Sequence, residues 1–418
     1  MMSSLSKTPI RRVPVKRITT KIGSGATPKG GKNSYKSKGI SLVRSQNIFD
    51  FCFVYEGLAF IDEIQADDLS NVKVEHRDIF LNITGASVAR CCMVPDRILP
   101  ARVNQHVAIV RVDRFKADPY YVLCCINSPS YKDYLLAIAQ SGATREALTK
   151  EKIENFEIPL PPLPAQRKTA AILSAYDDLI ENNLRRIKIL EEMAQNLYRE
   201  WFVKFRFPGH EKIRMVDSPL GKIPKGWEVG SIGDICQVLT GFAFKSKDWS
   251  LDGIPVIKIR NIRPGNYVET EQVDHVPEEI IEQKHKKYFL KSGDFLLAMT
   301  GATAGKVGKL RTTEQMALNQ RVAKIEPTDG FYEYIWCRIS NDEAEKEFYR
   351  LADGAAQPNM SSSQIEGVSL LIPSSEARGQ FAMIVSPILQ QVDNLIFRNA
   401  TLRRTRDLLL PKLISGEL

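Results

Sequence analysis

The feature that most constrains this chain is an internal duplication. Four segments of its first half recur in the second half in the same order, at offsets between 212 and 216 residues, and a fifth match, 212 residues apart, aligns Leu190 with Leu402. The matched pairs are residues 39–48 (GISLVRSQNI) and 253–262 (GIPVIKIRNI), 78–87 (DIFLNITGAS) and 294–303 (DFLLAMTGAT), 103–112 (VNQHVAIVRV) and 318–327 (LNQRVAKIEP), and 141–162 and 353–374. The chain is therefore expected to fold as two copies of one unit.

A long helical stretch follows the first copy. Residues 164–205 have no Gly or Pro after the first position, and their apolar side chains recur every seven residues, which is typical of a helix that pairs with another helix. At 1.5 Å per residue, about 42 residues would extend roughly 60 Å. The two interleaved series are Leu173, Ile180, Ile187, Ala194 and Trp201, and Tyr176, Asn183, Leu190 and Leu197.

The C-terminal stretch, residues 376–418, has the same spacing. Its two series are Ile388, Leu395, Leu402 and Leu409, and Val392, Asn399, Arg406 and Leu413. We predict that the two stretches pair as antiparallel helices, with the polar positions Asn183, Asn399 and Arg406 setting the register at some cost in stability. The alternative is that each amphipathic helix packs only on its own domain.

The residues before each helix favour a mixed α+β domain. Short β-branched and aromatic runs alternate with Gly turns, and one helix is expected at residues 118–140 and again at 330–351. Asp118 and Pro119 suit the start of the first of these helices. We predict domains over residues 1–160 and 211–373, helical spacers over 161–210 and 374–418, and a pseudo-two-fold arrangement.

Positive charge is concentrated at the N-terminus. The 418-residue chain has a net charge of +9, and residues 1–50 contain eleven Lys or Arg against one acid, Asp50. Such a local excess favours a polyanionic partner, although a solubilising surface is an equally simple explanation.

Cysteine usage and hydropathy indicate the cellular class. The seven cysteines are odd in number and contain no CxxC, which favours reduced, intracellular thiols without a zinc site. No apolar run approaches the 18 residues of a membrane helix, and the basic N-terminus lacks the apolar core of a secretory signal. We expect no membrane contact.

Two segments partly match known catalytic or cofactor-binding motifs, but neither match is complete. Residues 301–307 (GATAGKV) are one residue short of a phosphate-binding loop and lack its Ser or Thr, so a Gly turn is expected. Residues 118–121 (DPYY) lack the second proline of the amino-methyltransferase motif. The five histidines are dispersed, and the adjacent carboxylates Asp177-Asp178 and Glu191-Glu192 are expected to be surface charge. We predict no cofactor and no activity in the chain alone.

Several long motifs carry a family resemblance. Residues 158–205 (IPLPPLPAQRKTAAILSAYDDLIENNLRRIKILEEMAQNLYREWFVKF) and 398–418 (RNATLRRTRDLLLPKLISGEL) resemble the two helical repeat regions of the specificity (S) subunit of type I restriction–modification systems. Residues 84–110, 241–249 (GFAFKSKDW) and 300–325 are similar to its target recognition domains. The resemblance covers essentially the whole chain. It implies two duplicated mixed α/β target recognition domains separated by two long antiparallel coiled-coil helices.

The resemblance also implies a function and partners. Each domain would read half of a bipartite double-stranded DNA site, and the helices would set the spacer and dock two methyltransferase (M) subunits. Those subunits would bind S-adenosylmethionine and methylate adenine N6, and restriction/translocase (R) subunits would use ATP and Mg²⁺. The chain itself would be non-catalytic, cytoplasmic and DNA-associated, in phage defence. Alternatives are a stand-alone bipartite DNA-binding protein, an enzyme in its own right, and a structural coiled coil.

Candidate contact residues follow from side-chain chemistry within these domains. Phosphate contacts are expected from Lys29, Lys32, Lys36, Lys38, Lys245 and Lys247. Base edges or a distorted strand are expected to meet Tyr35, Arg44, Gln46, Asn47, Lys258, Arg260 and Asn261, with Arg90 and Lys306. The recurring pairs Asn104-Gln105 and Asn319-Gln320 are expected to be structural or to contact phosphate. Partner docking is expected at Leu179, Leu184, Met193, Tyr198 and Phe202, whose alternative role is burial against the chain's own domains.

Overall fold

Two compact units make up the chain. The computed structural model describes residues 10–140, 147–282, 286–352 and 359–418. Unit 1 comprises Met1–Asn182 with Asn399–Leu418, and unit 2 comprises Asn183–Arg398. Each long helix is thus shared, so the expected spacers are parts of the two units. Residues 141–146 and 353–358 of the fourth repeated segment lie outside the described residues, as does the side chain of Lys32.

Unit 1 is a mixture of short strands and helices. Its strands are β1 (Arg12–Pro14), β2 (Thr19–Ser24), β3 (Ile40–Val43), β4 (Ile48–Phe49), β5 (Cys52–Phe53), β6 (Ala59–Ile61), β7 (Ile79–Asn82), β8 (Cys91–Met93), β9 (Ala101–Val103), β10 (Val107–Val112) and β11 (Glu157–Pro159). Its helices are α1 (Glu63–Asp68), α2 (Pro119–Asn127), α3 (Pro129–Gln140), α4 (Lys150–Asn155) and the first part of α5 (Leu163–Tyr198).

Strand β7 joins the two cores of unit 1. It lies in the antiparallel sheet β2-β10-β7-β8, beside the smaller sheet β6-β3-β9. Ile79 and Leu81 face a core that includes α2 and Leu173 of α5, whereas Phe80 faces a second core built on β3 and β9. Because successive side chains of a strand point to opposite faces, a strand buried on both sides reads as a continuous apolar run.

Unit 2 repeats the order of the main elements and adds a hairpin and one short strand. Its strands are β12 (Met215–Ser218), β13 (Gly221–Pro224), β14 (Glu228–Ser231), β15 (Cys236–Thr240), β16 (Ile254–Ile257), β17 (Ile262–Arg263), β18 (Tyr267–Val268), β19 (Asp274–Val276), β20 (Phe289–Leu290), β21 (Phe295–Ala298), β22 (Val307–Lys309), β23 (Met316–Leu318), β24 (Val322–Pro327) and β25 (Ser369–Ile372). Its helices are α6 (Ile232–Ile235), α7 (Glu278–Glu282), α8 (Tyr332–Ile339), α9 (Asp342–Leu351), α10 (Ser362–Glu366), the second part of α5 and the first part of α11 (Ser375–Ser415).

Strand pairing repeats between the units. The parallel pair β3–β9 recurs as β16–β23, and the antiparallel pair β7–β10 recurs as β21–β24. The pair β1–β11 likewise recurs as β14–β25. Unit 2 differs in that β18 pairs with β22, which extends its main sheet to β15-β24-β21-β22-β18-β17. The duplication predicted from the sequence is therefore a duplication of topology.

Helices α5 and α11 pair in antiparallel fashion within each unit. In unit 1 the α5 residue Asp177 contacts Arg406 of α11. In unit 2 Ile187 packs with Val392 and Leu395, and the rings of Phe202 and Phe381 lie 4.8 Å apart. Residue numbers fall along α11 as they rise along α5, which confirms the predicted pairing. The polar positions Asn183, Asn399 and Arg406 are buried as expected, at 4%, 2% and 9% exposure.

The helix predictions need four corrections. Residues 118–140 form two helices because Ser128 precedes Pro129 and takes an extended conformation. Residues 330–351 also form two helices instead of one, and the break lies at Ser340 and Asn341. The α-helical part of residues 164–205 ends at Tyr198, and a π-helical turn, Arg199–Val203, follows it. Near both ends of α11 the predicted seam residues Ile388, Leu409 and Leu413 are only partly buried. Their neighbours Leu389, Leu410 and Ile414 are buried instead, because the helix packs on the domain cores at these positions.

The predicted start of a helix at Asp118 is confirmed. Asp118 caps α2, accepting hydrogen bonds from the N–H groups of Tyr120 (3.0 Å) and Tyr121 (3.1 Å). All seven cysteines lie among the described residues and are free thiols. Among the residues that the structure describes, every helix falls short of the apolar length that a membrane crossing requires.

Candidate nucleic-acid interface

A buried asparagine shapes the same short turn in both units. Strands β3 and β16 lead into 3-10 turns at Ser45–Asn47 and Ile259–Asn261. Asn47 Oδ1 accepts the N–H of Arg44 at 3.2 Å, and Asn261 Oδ1 accepts the N–H of Lys258 at 3.0 Å. Asn47 and Asn261 are 0% and 1% exposed. The prediction that these two residues contact bases is corrected, because their side-chain amides are buried and form hydrogen bonds with the backbone of the turn.

Unit 1 presents a preorganised guanidinium beside this turn. The Arg44 guanidinium lies 5.3 Å from the centroid of the Tyr35 ring, within the range of a cation–π contact. Arg44 also donates to the carbonyl oxygen of Gly57, and Gln46 donates to the same oxygen at 3.3 Å. Tyr35, Arg44 and Gln46, predicted separately, thus lie together.

Two more arginines stack on rings next to the β4–β5 hairpin. Arg90, a predicted residue, lies 4.7 Å from the Phe49 ring, and Arg97 lies 3.5 Å from the Tyr55 ring. Arg97 was missed because it lies more than 40 residues from Tyr55 in the sequence, and only the fold brings the two side chains together. Planar arginines held by rings retain free N–H groups for guanine or phosphate.

The lysines of unit 1 differ in their surroundings. Lys29 and Lys38 are exposed. Lys36 forms an ion pair with Asp62 at 3.2 Å, and its N–H donates to the carbonyl of Phe60. Asp62 also accepts the N–H of Gln65 at the start of α1, and this bond, followed by Lys36, lowers the pKa of the Asp62 carboxyl. Lys36 is therefore anchored and partly neutralised, whereas Lys38 is not neutralised in this way.

Unit 2 presents two cations on one carboxylate. Lys258 and Arg260 lie 2.5 Å and 2.6 Å from the Asp274 oxygens. Hydrogen bonding by Lys258 is the main cause of the lowered pKa of Asp274, and burial opposes it. The Lys258 ammonium also lies 3.2 Å from the centroid of the Trp249 ring. The same turn thus carries different chemistry in the two units.

An aromatic cluster supports this site in unit 2. Phe242 and Phe244 lie 5.0 Å apart, and Phe244 and Trp249 lie 5.5 Å apart. Lys245 and Lys247 are exposed on the same loop, where cations would reach a nucleic-acid backbone.

The glycine-rich segment of unit 2 is a turn, as predicted. Residues Gly301–Thr303 form a 3-10 turn between β21 and β22, and Gly301 has φ of 73°. A side chain at Gly305 would lie 2.6 Å from the Glu345 carbonyl oxygen, so the turn packs against α9. Lys306 follows this turn and is half-exposed.

The recurring Asn-Gln pairs divide into two roles. Asn104 is buried and accepts the N–H of His106 at 3.0 Å, and Asn319 accepts the N–H of Arg321 at 3.4 Å. Both asparagines therefore hold a turn. Gln105 and Gln320 are exposed.

The expected docking residues fall into two groups. Leu179, Leu184 and Met193 are 51%, 43% and 50% exposed, as a docking surface requires. Tyr198 and Phe202 are 7% and 4% exposed and belong to the aromatic core of unit 2. The prediction is corrected for these two, whose rings already pack on the chain's own domain.

Exposed apolar side chains that sequence reasoning missed lie on the same helices. Ile189 of α5 is 55% exposed, and Met383, Ile384 and Leu408 of α11 are 73%, 46% and 62% exposed. The heptad pattern predicts which residues are buried between the helices, but it does not predict which of the flanking apolar residues are exposed. Among the described residues, no group of three or more His, Cys, Asp or Glu side chains is placed to hold a metal ion.

Comparison with known proteins gives a consistent result. A family model described as the type I restriction modification DNA specificity domain matches residues 62–192 and 224–402. The MjaIX specificity subunit of Methanocaldococcus jannaschii is 26% identical, with 100% of this chain and 96% of the relative aligned. The HindI specificity subunit of Haemophilus influenzae is 23% identical over 72% of this chain and 77% of the relative.

A solved structure shares the fold. The crystal structure of the type I restriction–modification S subunit from M. genitalium aligns with a TM-score of 0.57 and 13% identity. The alignment covers 98% of this chain and 97% of that chain.

Proposed function

The chain belongs to the type I restriction–modification DNA specificity family and is a specificity subunit with two target recognition domains, and from this premise we propose that each domain reads one half of a bipartite DNA site. Specificity subunits are the non-catalytic components of these systems. Family membership favours this function over a stand-alone DNA-binding protein.

The observation that carries the proposal is one turn geometry with two sets of side chains. Asn47 and Asn261 hold the same turn, yet unit 1 presents Arg44 and Gln46 where unit 2 presents Lys258 and Arg260. Conserved backbone geometry with exchanged polar groups is what two domains need to read different bases. The exposed lysines, including Lys29, Lys38, Lys245 and Lys247, would supply contacts to phosphate that carry no sequence information.

The stacked rings limit how these cations move. Arg44 and Lys258 each lie over an aromatic ring, at 5.3 Å and 3.2 Å. A cation held in place before DNA arrives loses less conformational entropy on binding than a free one. Arg suits the O6 and N7 acceptors of guanine, and the Asp274 carboxylate suits a cytosine amino group. We therefore expect unit 1 to favour guanine at the position next to Arg44.

Partner docking is proposed for the open apolar positions of the helices. Leu184, Ile189 and Met193 of α5 and Met383 and Ile384 of α11 are exposed within unit 2. A group of exposed apolar side chains on one surface is typical of a protein–protein interaction site. Two modification subunits that bind S-adenosylmethionine would dock here, and restriction subunits would bring ATP and Mg²⁺. With these partners, the protein would act on DNA in the cytoplasm.

Domain exchange tests the proposal. Residues 1–160 are replaced by the first domain of another family member, and the methylated motif of the host is sequenced before and after. We expect one half of the motif to change and the other half and the spacer to remain. A change in both halves, or in neither, would contradict the assignment of one half-site to each domain.

Activity of the chain alone tests the division of labour. The purified full-length chain should neither transfer a methyl group to duplex DNA nor cleave it. Adding the modification subunit should restore methylation. Methylation or Mg²⁺-dependent cleavage by the chain alone would instead favour an enzyme in its own right.

A further inference from the structure

A partly buried polar cluster joins the first recognition domain to both long helices. Asp177 of α5 accepts hydrogen bonds from the Tyr120 hydroxyl of α2 and from the Arg406 guanidinium of α11. The Arg406 guanidinium also lies 4.2 Å from the Phe51 ring, in the hairpin of the domain. The side chains of Asp177 and Arg406 are 20% and 10% exposed. Tyr120, Asp177 and Arg406 are called here the first positioning cluster.

Unit 2 has a cluster of the same kind built from different residues. Lys309 and Arg311, at the end of β22, each lie 2.7 Å from an oxygen of Asp393 on α11. Their side chains are only 4% and 6% exposed. Glu191 of α5 faces the same charges, because Arg311 and Asp393 both act on its carboxyl group. Lys309, Arg311, Asp393 and Glu191 form the second positioning cluster, with two positive and two negative groups.

The two clusters are not copies of one another. The repeat that aligns Leu190 with Leu402 aligns Asp177 with Leu389 and Arg406 with Ala194. Asp393 falls on Glu181 in the same alignment. Each domain is therefore joined to its helices by a different set of polar residues, although Glu181 keeps an acid at the position equivalent to Asp393.

The chemistry of these junctions suits orientation better than stability. Burial raises the pKa of Asp177 and lowers that of Lys309, so desolvation offsets much of the attraction within each cluster. Apolar contacts are non-directional, whereas hydrogen bonds and ion pairs hold only over a narrow range of distance and angle. A domain that slid or turned on its helices would separate these partly buried charges from their partners, which costs free energy.

Orientation matters for a protein that reads two half-sites. Each base pair added between half-sites moves the second one by about 3.4 Å and turns it by about 34° around the DNA axis. A domain that could rotate on its helices would still reach its half-site after such a change in spacing. A domain held by directional bonds would not.

We propose that the two positioning clusters fix the angle of each recognition domain on its helices and so restrict the chain to one spacing between half-sites. This inference rests on the proposed function and adds the residues that enforce spacing. None of these residues needs to touch DNA. They are positioning residues, separate from the candidate contacts at the turns after β3 and β16.

Isosteric variants with a matched neighbour test the inference. Asp177→Asn and Asp393→Asn remove one charge each, and Asp178→Asn changes the exposed neighbour of Asp177 as a control. The full-length chain, purified in the complex that it forms in its host, is offered duplexes with the preferred spacing and with one base pair more or fewer. We expect discrimination between spacings to fall by about tenfold, or about 1.4 kcal/mol, in the two variants and to stay unchanged in the control.

The outcomes separate the inference from the function on which it rests. Unchanged half-site bases with relaxed spacing support the clusters as positioning sites. A lower melting temperature with full discrimination between spacings means that they only stabilise the fold, and overturns the inference alone. A wild-type complex with no spacing preference overturns the proposed function as well. If Asp177→Asn fails to fold, Tyr120→Phe removes only one hydroxyl group, and Arg311→Lys gives the equivalent mild change in unit 2.

Discussion

Replacing Lys36 and Lys38 with Ala should weaken binding to every DNA sequence by a similar factor. Lys38 is exposed, whereas Lys36 is paired with Asp62 at 3.2 Å with its side chain 48% exposed. Because Asp62 already neutralises part of the charge on Lys36, Lys38→Ala should have the larger effect of the two. Asp62→Asn should strengthen binding, since it frees Lys36, and Asn can still cap α1.

The magnitude follows from the release of counterions. Each lost phosphate contact lowers the slope of log K against log salt concentration by about 0.9. Raising the salt from about 50 to about 200 mM weakens the binding of every chain. The fold-loss in affinity should be smaller than that of the wild type by a factor of about 3.5 for a chain that lacks one contact, and by a factor of about 12 for a chain that lacks two.

Fluorescence anisotropy of labelled duplexes over this salt range measures both quantities. Specific and scrambled duplexes should show the same change in slope. Lys150→Ala, which removes a lysine paired with Glu154 along α4, serves as the control. An unchanged slope in the double variant, or a loss confined to the specific duplex, would refute the assignment of these lysines to phosphate.

Three further results are expected. Duplex DNA should alter the tryptophan emission of the wild type, and Trp249→Phe should abolish that change, because Trp249 lies 3.2 Å from the Lys258 ammonium while the other three tryptophans are buried. Met193→Glu should reduce copurification of the modification subunit by about tenfold, since a charge on a docking surface must be desolvated, whereas Glu192→Gln should not. Asp274 has a lowered pKa, so its contribution to stability is present above its unfolded pKa of about 4 and is lost as the pH falls through the folded value. Thermal melts below about pH 4 should therefore depend less on pH in Asp274→Asn, and an unchanged dependence would rule out the ion pairs as its source.

The strongest predictions came from patterns with many members. The duplication holds for strand pairing as well as sequence, because the apolar alternation that buries β3 and β9 recurs in β16 and β23. The heptads predicted the antiparallel pairing of α5 and α11 because an apolar seam of that length needs a partner. The polar exceptions within the seam were also correctly placed.

Single polar residues were harder to assign. Asn47 and Asn261 were expected at bases because asparagine suits adenine, but they accept backbone N–H groups within their own turns. Asn is equally suited to both tasks, and only burial distinguishes them. Tyr198 and Phe202 failed as docking residues for a related reason, since the rings of Tyr334 and Phe381 were already close enough to cover them.

Local order along the chain therefore determined that this protein has two similar domains and two pairing helices, because periodicity and repetition are properties of sequence. Only the tertiary structure decided which polar groups face water and which join a domain to its helices. Asp177 and Asp178 are identical neighbours in sequence, yet Asp177 is partly buried and bonded to Tyr120 and Arg406, whereas Asp178 is exposed. Burial and partnership depend on residues more than two hundred positions away, and no local pattern records them.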